Sequence, residues 1–186
     1  MALSLHNLNP SVRTLMLNEF NLDLEPRRIY ESPRLTPIGR EHWDYLLKNA
    51  IESGDDNTLA YELLRGHYLR DSEIKHSSRG KPYTANINKP AAAEMLAEGE
   101  FNRYYIRAVA LLAINSNVTS LEIYRAKPVN QPRPESLRRT GHLVNAQSLL
   151  TDLRKNIGVD TALGVPAGPN SGLSVRIPSV VNTKIG

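Results

Sequence analysis

Between Pro90 and Asn115 the chain carries Phe101, Tyr104, Tyr105, Ala108, Val109, Leu111, Leu112 and Ile114 within one helix-length segment. A helix with a wet side confines its apolar residues to a stripe. Here they spread over more than one side, which predicts a central helix that other elements must cover. Ahead of it, Ala91, Ala92, Ala93, Met95, Leu96 and Ala97 form a small-residue helix that Gly99 is expected to interrupt. Truncating Leu111 or Leu112 to Ala is expected to cost about 2–5 kcal/mol.

Residues 36–70 supply the first covering elements. Thr36 is a good N-cap and Pro37 suits the first helical position. Trp43, Leu46, Leu47, Ala50 and Ile51 then recur at helical spacing, and Gly54 is expected to end the helix in a left-handed cap. Asp55 and Asp56 can cap a second helix with Leu59, Leu63, Leu64, His67 and Tyr68 on one side. So short a connection predicts an antiparallel αα-hairpin. Residues 71–89 read as a long polar loop, with a turn or short strand around Tyr83–Ile87. Residues 118–125 are rich in Val, Ile, Tyr and Thr, Leu121 and Ile123 alternate with Glu122 and Tyr124 as a strand would, and Pro128 stops it. Three prolines in 128–136 favour an extended path. Asn145 can cap a last helix with Leu149, Leu150, Leu153 and Ile157, closed by Gly158.

The two ends read differently. In residues 1–35 the leucines are scattered and Pro10, Pro26 and Pro33 punctuate them; Leu22-Asp23-Leu24 alternates like a short strand. Residues 159–186 have no helical period and repeated Gly and Pro. The predicted organisation is therefore an extended N-terminal arm (1–35), a helical core (36–158, with the loop 71–89) and an extended C-terminal arm (159–186). The fold class is mainly α with minor β. The arms are too apolar for free disordered tails. Leu173, Val175, Ile177, Val180 and Val181 are the candidates for docking on neighbouring subunits.

The chemistry-bearing residues form no catalytic constellation. The 186 residues include no cysteine, which removes disulfides, thiolate nucleophiles and Cys-ligated metals. Gly164, Gly168 and Gly172 lack the Lys-Ser/Thr and the following helix that a phosphate loop needs. His67, Asp71, Glu73 and His76 are metal-ligating types at close spacing, but His67 fits the apolar stripe of its helix and is expected to pack at the core edge. No G-x-S-x-G elbow is present. Asp55 and Asp56 are explained as caps. The expectation is a non-enzymatic protein with no cofactor and no metal.

With 23 Lys+Arg against 19 Asp+Glu the net charge is only +4. Its distribution is more informative. Cations gather in 65–89 and 125–139, so Arg79, Lys81, Arg133, Arg138 and Arg139 are the candidates for facing DNA. No helix-turn-helix, RNP or zinc-finger pattern accompanies them. No run of about 18 apolar residues is present, and the N-terminus lacks a secretory pattern, so no membrane partner is expected.

The stretches EFNRYYIRAVALLAI, LEIYRAKPVNQPRPES and GVPAGPNSGLSVRIP are similar to proteins of phages and prophages. With a Cys-free helical core, a long polar loop and extended arms, the chain resembles the head–tail connector (adaptor) proteins of tailed bacteriophages. That resemblance implies a homo-oligomeric ring under the portal that links the DNA-filled head to the tail. It implies portal and tail proteins as partners, a virion location after assembly in the host cytoplasm, and non-specific contact with packaged DNA. It carries no catalytic motif, so no functional residue transfers. Deleting 159–186 is then expected to abolish docking and to leave the helical core folded. The alternatives are another virion component (capsid decoration, tail terminator or tail-tube protein) or a small basic nucleic-acid-binding accessory protein. A tail-tube protein would be mainly β.

Overall fold

The structure, a computed structural model, describes residues 2–128, 131, 134–158 and 172–178. It is mainly α with minor β, as the hydrophobic patterning predicts. Its centre is the long helix predicted from the apolar segment. The helix runs unbroken through Gly99, which makes no contact that a side chain would disturb.

In chain order the helices are α1 (Pro10–Leu24), α2 (Pro37–Ser53), α3 (Asp56–Arg65), α4 (Lys89–Asn115), α5 (Pro134–Arg139) and α6 (Ala146–Lys155). The strands are β1 (Ser72–His76), β2 (Pro82–Asn86), β3 (Ser120–Arg125), β4 (Leu143–Asn145) and β5 (Leu173–Arg176). Helices α1, α3 and α6 pack along α4, and α2 joins α1 and α3. β3 lies between β4 and β5 in a small antiparallel sheet, while β1 and β2 pair only with each other.

The predicted caps form. Thr36 accepts from the Gly39 N–H at 3.0 Å at the start of α2. Asp55 and Thr58 make a reciprocal capping box on α3. Asn145 accepts from the Ser148 N–H at 2.9 Å and starts α6. Trp43 is fully buried and donates its indole N–H to the Tyr30 carbonyl at 2.8 Å.

Several expectations need correction. Gly54 ends α2 with φ −104°, outside the left-handed region. Arg13 of α1 takes up the freed carbonyls instead, donating to Ile51 at 2.7 Å and Gly54 at 2.8 Å. His67 lies beyond the end of α3, exposed and with φ +54°, so it belongs to no apolar stripe. The polar stretch 71–89 is largely an antiparallel hairpin. Leu111 and Leu112 are only half-buried, whereas Arg103 and Arg107 are buried on the same helix.

The largest correction concerns the N-terminal segment. Residues 10–24 are a helix of the core, not an extended arm, with Asn9 as N-cap and Pro10 at its first turn. Its buried face is Val12, Met16, Glu19, Phe20 and Asp23. Val12, Met16 and Phe20 recur at four-residue spacing, but Glu19 and Asp23 interrupt the apolar face, so it does not read as a core stripe. The leucines of this helix lie on other faces: Leu22 is 55% exposed, and Leu15 and Leu17 are half-buried.

Candidate functional site

Two places concentrate polar side chains. One lies inside and the other projects into solvent. The inner one is an ionic network around Arg107. Its Nε donates to Glu19 Oε2 at 2.8 Å, and Nη1 donates to Asp23. Arg154 from α6 completes Glu19, donating from Nε at 2.9 Å and from Nη2 at 2.5 Å. Arg28 reaches the other oxygen of Asp23 at 3.1 Å, and the Tyr104 hydroxyl donates to Asp23 at 3.2 Å. The Arg107 guanidinium also sits 5.1 Å from the Tyr104 ring centroid. Burial pushes the Glu19 carboxyl up, but the bonds and charges of Arg154 and Arg107 outweigh it and hold the group below its ordinary value. Burial and the Asp23 charge push the Tyr104 phenol up. Neighbouring Glu100 is also buried and held up by desolvation; its Oε1 accepts from Arg103 at 3.4 Å and its Oε2 has no partner.

Every member of this network but Arg28 and Arg154 is closed off from solvent. Nothing from outside can reach its centre, so its role is to bolt α1 and α6 to α4. Sequence reading missed it. The available signal was the pair Arg103 and Arg107, one turn apart in an otherwise apolar helix. Buried guanidiniums require carboxylates, and Glu19 and Asp23 share that one-turn spacing.

The ends of the described chain meet around Tyr124. Its hydroxyl donates to the Ser4 carbonyl at 2.8 Å and accepts from the His6 N–H at 3.3 Å. His6 lies 4.5 Å from the Tyr124 ring, and Arg176 lies over that ring at 5.5 Å. Asn7 Oδ1 accepts from the Ile177 N–H at 3.3 Å. Asp56, expected only to cap, accepts from the Leu3 N–H at 3.1 Å. The extended residues 2–8 therefore lie on this chain's own body.

The same holds for most of the docking candidates. Leu173 and Val175 are buried in β5 against β3, and Ile177 is half-buried against the core. Asn102 of α4 clamps the strand: its amide donates to the Leu173 carbonyl at 2.8 Å, and it accepts from Ser174 at 2.7 Å. Leu173 and Val175 are therefore used within the subunit, and Ile177 in part. Val180 and Val181 lie outside the described residues.

The projecting site is the β1–β2 hairpin. Its register places Glu73 opposite Ala85, Ile74 opposite Thr84 and Lys75 opposite Tyr83. The Gly80 N–H donates to the Ser77 carbonyl at 2.8 Å and the Ser77 N–H donates to the Lys81 carbonyl at 2.9 Å, closing a tight turn. Gly80 has φ +77° there, a conformation that favours glycine. Two ion pairs hold the base: Arg34 grips Glu73 with two bonds at 2.8 and 2.9 Å, and Lys89 meets Asp71 at 2.6 Å. Beyond that base, residues 74–84 are exposed throughout, with Ile74 at 73% and Tyr83 at 50%.

Of the predicted cationic residues, Arg79 and Lys81 occupy the exposed tip of this hairpin. Arg138 and Arg139 are exposed at the end of α5. Arg133 lies outside the described residues. The candidate metal-ligating types do not converge, and no cluster of three or more such residues occurs among the described residues. An open cleft of about 400 Å³ lies between the end of α1 and α2, lined by Leu24, Ile29, Arg27, Arg40, Glu31, Glu41 and Asp44. Its charges are mixed, and Arg40 lies 3.9 Å from Glu31. No helix among the described residues is long and apolar enough to cross a membrane. No protein-family model, no curated protein and no solved structure matches the chain.

Proposed function

We propose that this chain is a non-enzymatic structural subunit of a tailed-phage virion, an adaptor that assembles as a ring under the portal and joins head to tail. The observation that carries this reading is the β1–β2 hairpin. An isolated two-stranded hairpin is marginal in water, yet this one extends from a well-packed helical body and leaves Ile74 and Tyr83 in solvent. Such a projection suits a protein whose work is contact with other molecules. The terminal segments contribute to the body instead: the described parts of both supposed arms are tied to their own subunit through Asp56, Tyr124 and Asn102. The mainly helical architecture weighs against the tail-tube alternative.

The test is the native size of the protein as isolated from its source, by sedimentation after nuclease treatment. Recovery in a megadalton particle, with imaging that places a ring between head and tail, is the expected result. Recovery as a free monomer or dimer overturns the reading.

A further inference from the structure

The hairpin has a charge pattern that names a partner. From Ile74 to Ala93 the chain contains Lys75, Arg79, Lys81 and Lys89 and no carboxylate. The cations divide by position. Lys89 is engaged at the base with Asp71. Lys75 shares Glu73 with Arg34, at 3.3 Å. Arg79 and Lys81 stand in the exposed turn and make no ion pair among the described residues. His76 and the hydroxyls of Ser77 and Ser78 are exposed beside them. Tyr83 shares the Lys75 face through its register.

We infer that the tip of the β1–β2 hairpin is a contact site for the phosphodiester backbone of duplex DNA, with Arg79 and Lys81 neutralising phosphates and the turn hydroxyls donating to them. The inference rests on the structural-subunit reading and names the partner of the same element. A two-stranded ribbon fits the duplex major groove, and serine hydroxyls are ordinary phosphate donors. The exposed part of the hairpin, 74–84, holds no carboxylate, and Arg79 and Lys81 have no ion-pair partner among the described residues, so a polyanion supplies the balancing charge. No side chain here is arranged to discriminate bases, so binding is independent of sequence. With two or three phosphates neutralised per subunit, a single chain binds weakly. A ring presenting many tips to one duplex binds far more tightly by effective concentration.

The experiment is fluorescence anisotropy of a short labelled duplex of arbitrary sequence, titrated with the full chain between 50 and 200 mM salt. Counterion release from two or three phosphates predicts that affinity falls roughly 10- to 40-fold over that range. The R79Q/K81Q variant should flatten the log–log salt slope by about two and weaken binding at low salt. Circular dichroism should match the parent, because both residues are exposed. Unchanged affinity and slope in the variant overturn the assignment. So does a variant that binds DNA as the parent does but loses self-association by sedimentation velocity, since the tip then contacts protein. The readout uses the isolated chain, so it does not depend on whether the protein is found in a particle. Failure of the particle test with intact DNA binding would remove the virion reading alone.

Discussion

Arg107 Nε and Glu19 Oε2 lie 88 positions apart in the chain and 2.8 Å apart in its interior, and both side chains are only 1% exposed. The bond joins the central helix to a segment that reads in the sequence as part of an extended arm. Removing Arg107 leaves two buried carboxylates with only the partly exposed cations Arg154 and Arg28, and breaking a buried pair costs about 3–5 kcal/mol. Arg107→Gln should therefore destabilise the protein by about that amount in urea unfolding, because Glu19 and Asp23 lose their shared cation. A triple replacement of Arg107, Glu19 and Asp23 by apolar residues of similar volume should recover most of the loss. A triple variant no more stable than the single one would show that the bond directions, and not charge balance, fix α1.

The same contact sets an acid limit. Glu19 is held below its ordinary value of 4.5 by Arg154 and Arg107, which outweigh burial. A carboxyl depressed by folding contributes stability above its unfolded value, and that contribution is lost as pH falls through the folded one. Glu19→Gln should lower the melting temperature at pH 7, with the difference from the parent narrowing below pH 4.5. Thermal melts across that range check it.

Glu100 should behave in the opposite sense. Burial pushes its carboxyl above 4.5, and Arg103 and Arg107 offset this only in part. A carboxyl raised by folding favours the folded state below its unfolded value, and that contribution is lost as pH rises through the folded one. Glu100→Gln keeps an acceptor for Arg103 and removes the buried charge. It should raise the melting temperature at pH 7 and lose that advantage in acid. The two glutamates sit on different helices and give melting differences of opposite sign, so the comparison controls for a general acid effect.

The C-terminal strand should prove to be part of the fold. Leu173 is 1% exposed and Val175 is fully buried. Leu173→Ala should cost about 2–5 kcal/mol. Deleting 159–186 removes β5 and leaves Asn102 without its strand partner, so the truncated chain should unfold earlier or fail to fold. This reverses the expectation that the core would stand alone. A truncation that melts at the parent temperature would restore it.

Replacing the exposed part of the hairpin, 74–84, with a short Gly-Ser turn should change little. The segment buries no large side chain, so the melting temperature should stay close to the parent value in a thermal melt. A large loss would mean that the ribbon braces the body and is not only a projection.

The sequence by itself determined the elements that repeat a local rule. α2, α3, α6 and the second half of α4 were legible because apolar residues recur at helical spacing after Thr36, Asp55 and Asn145. β3 was legible from its alternation. The exposed positions of Arg79, Lys81, Arg138 and Arg139 followed from their polar surroundings. What only the tertiary structure decided was every element whose burial depends on a distant partner. α1 hides two carboxylates that are tolerable in a core only because Arg107 and Arg154 arrive from other helices. A short strand pairing at Val175 was legible in the sequence, but that β3 offers it a free edge and Asn102 holds its backbone was not. A turn or short strand near Tyr83–Ile87 was legible, but its pairing with β1 became visible only through cross-strand register, which no short window contains. Periodicity records contact with a uniform apolar interior; paired charges and sheet edges are satisfied one partner at a time, and those partners lie far along the chain.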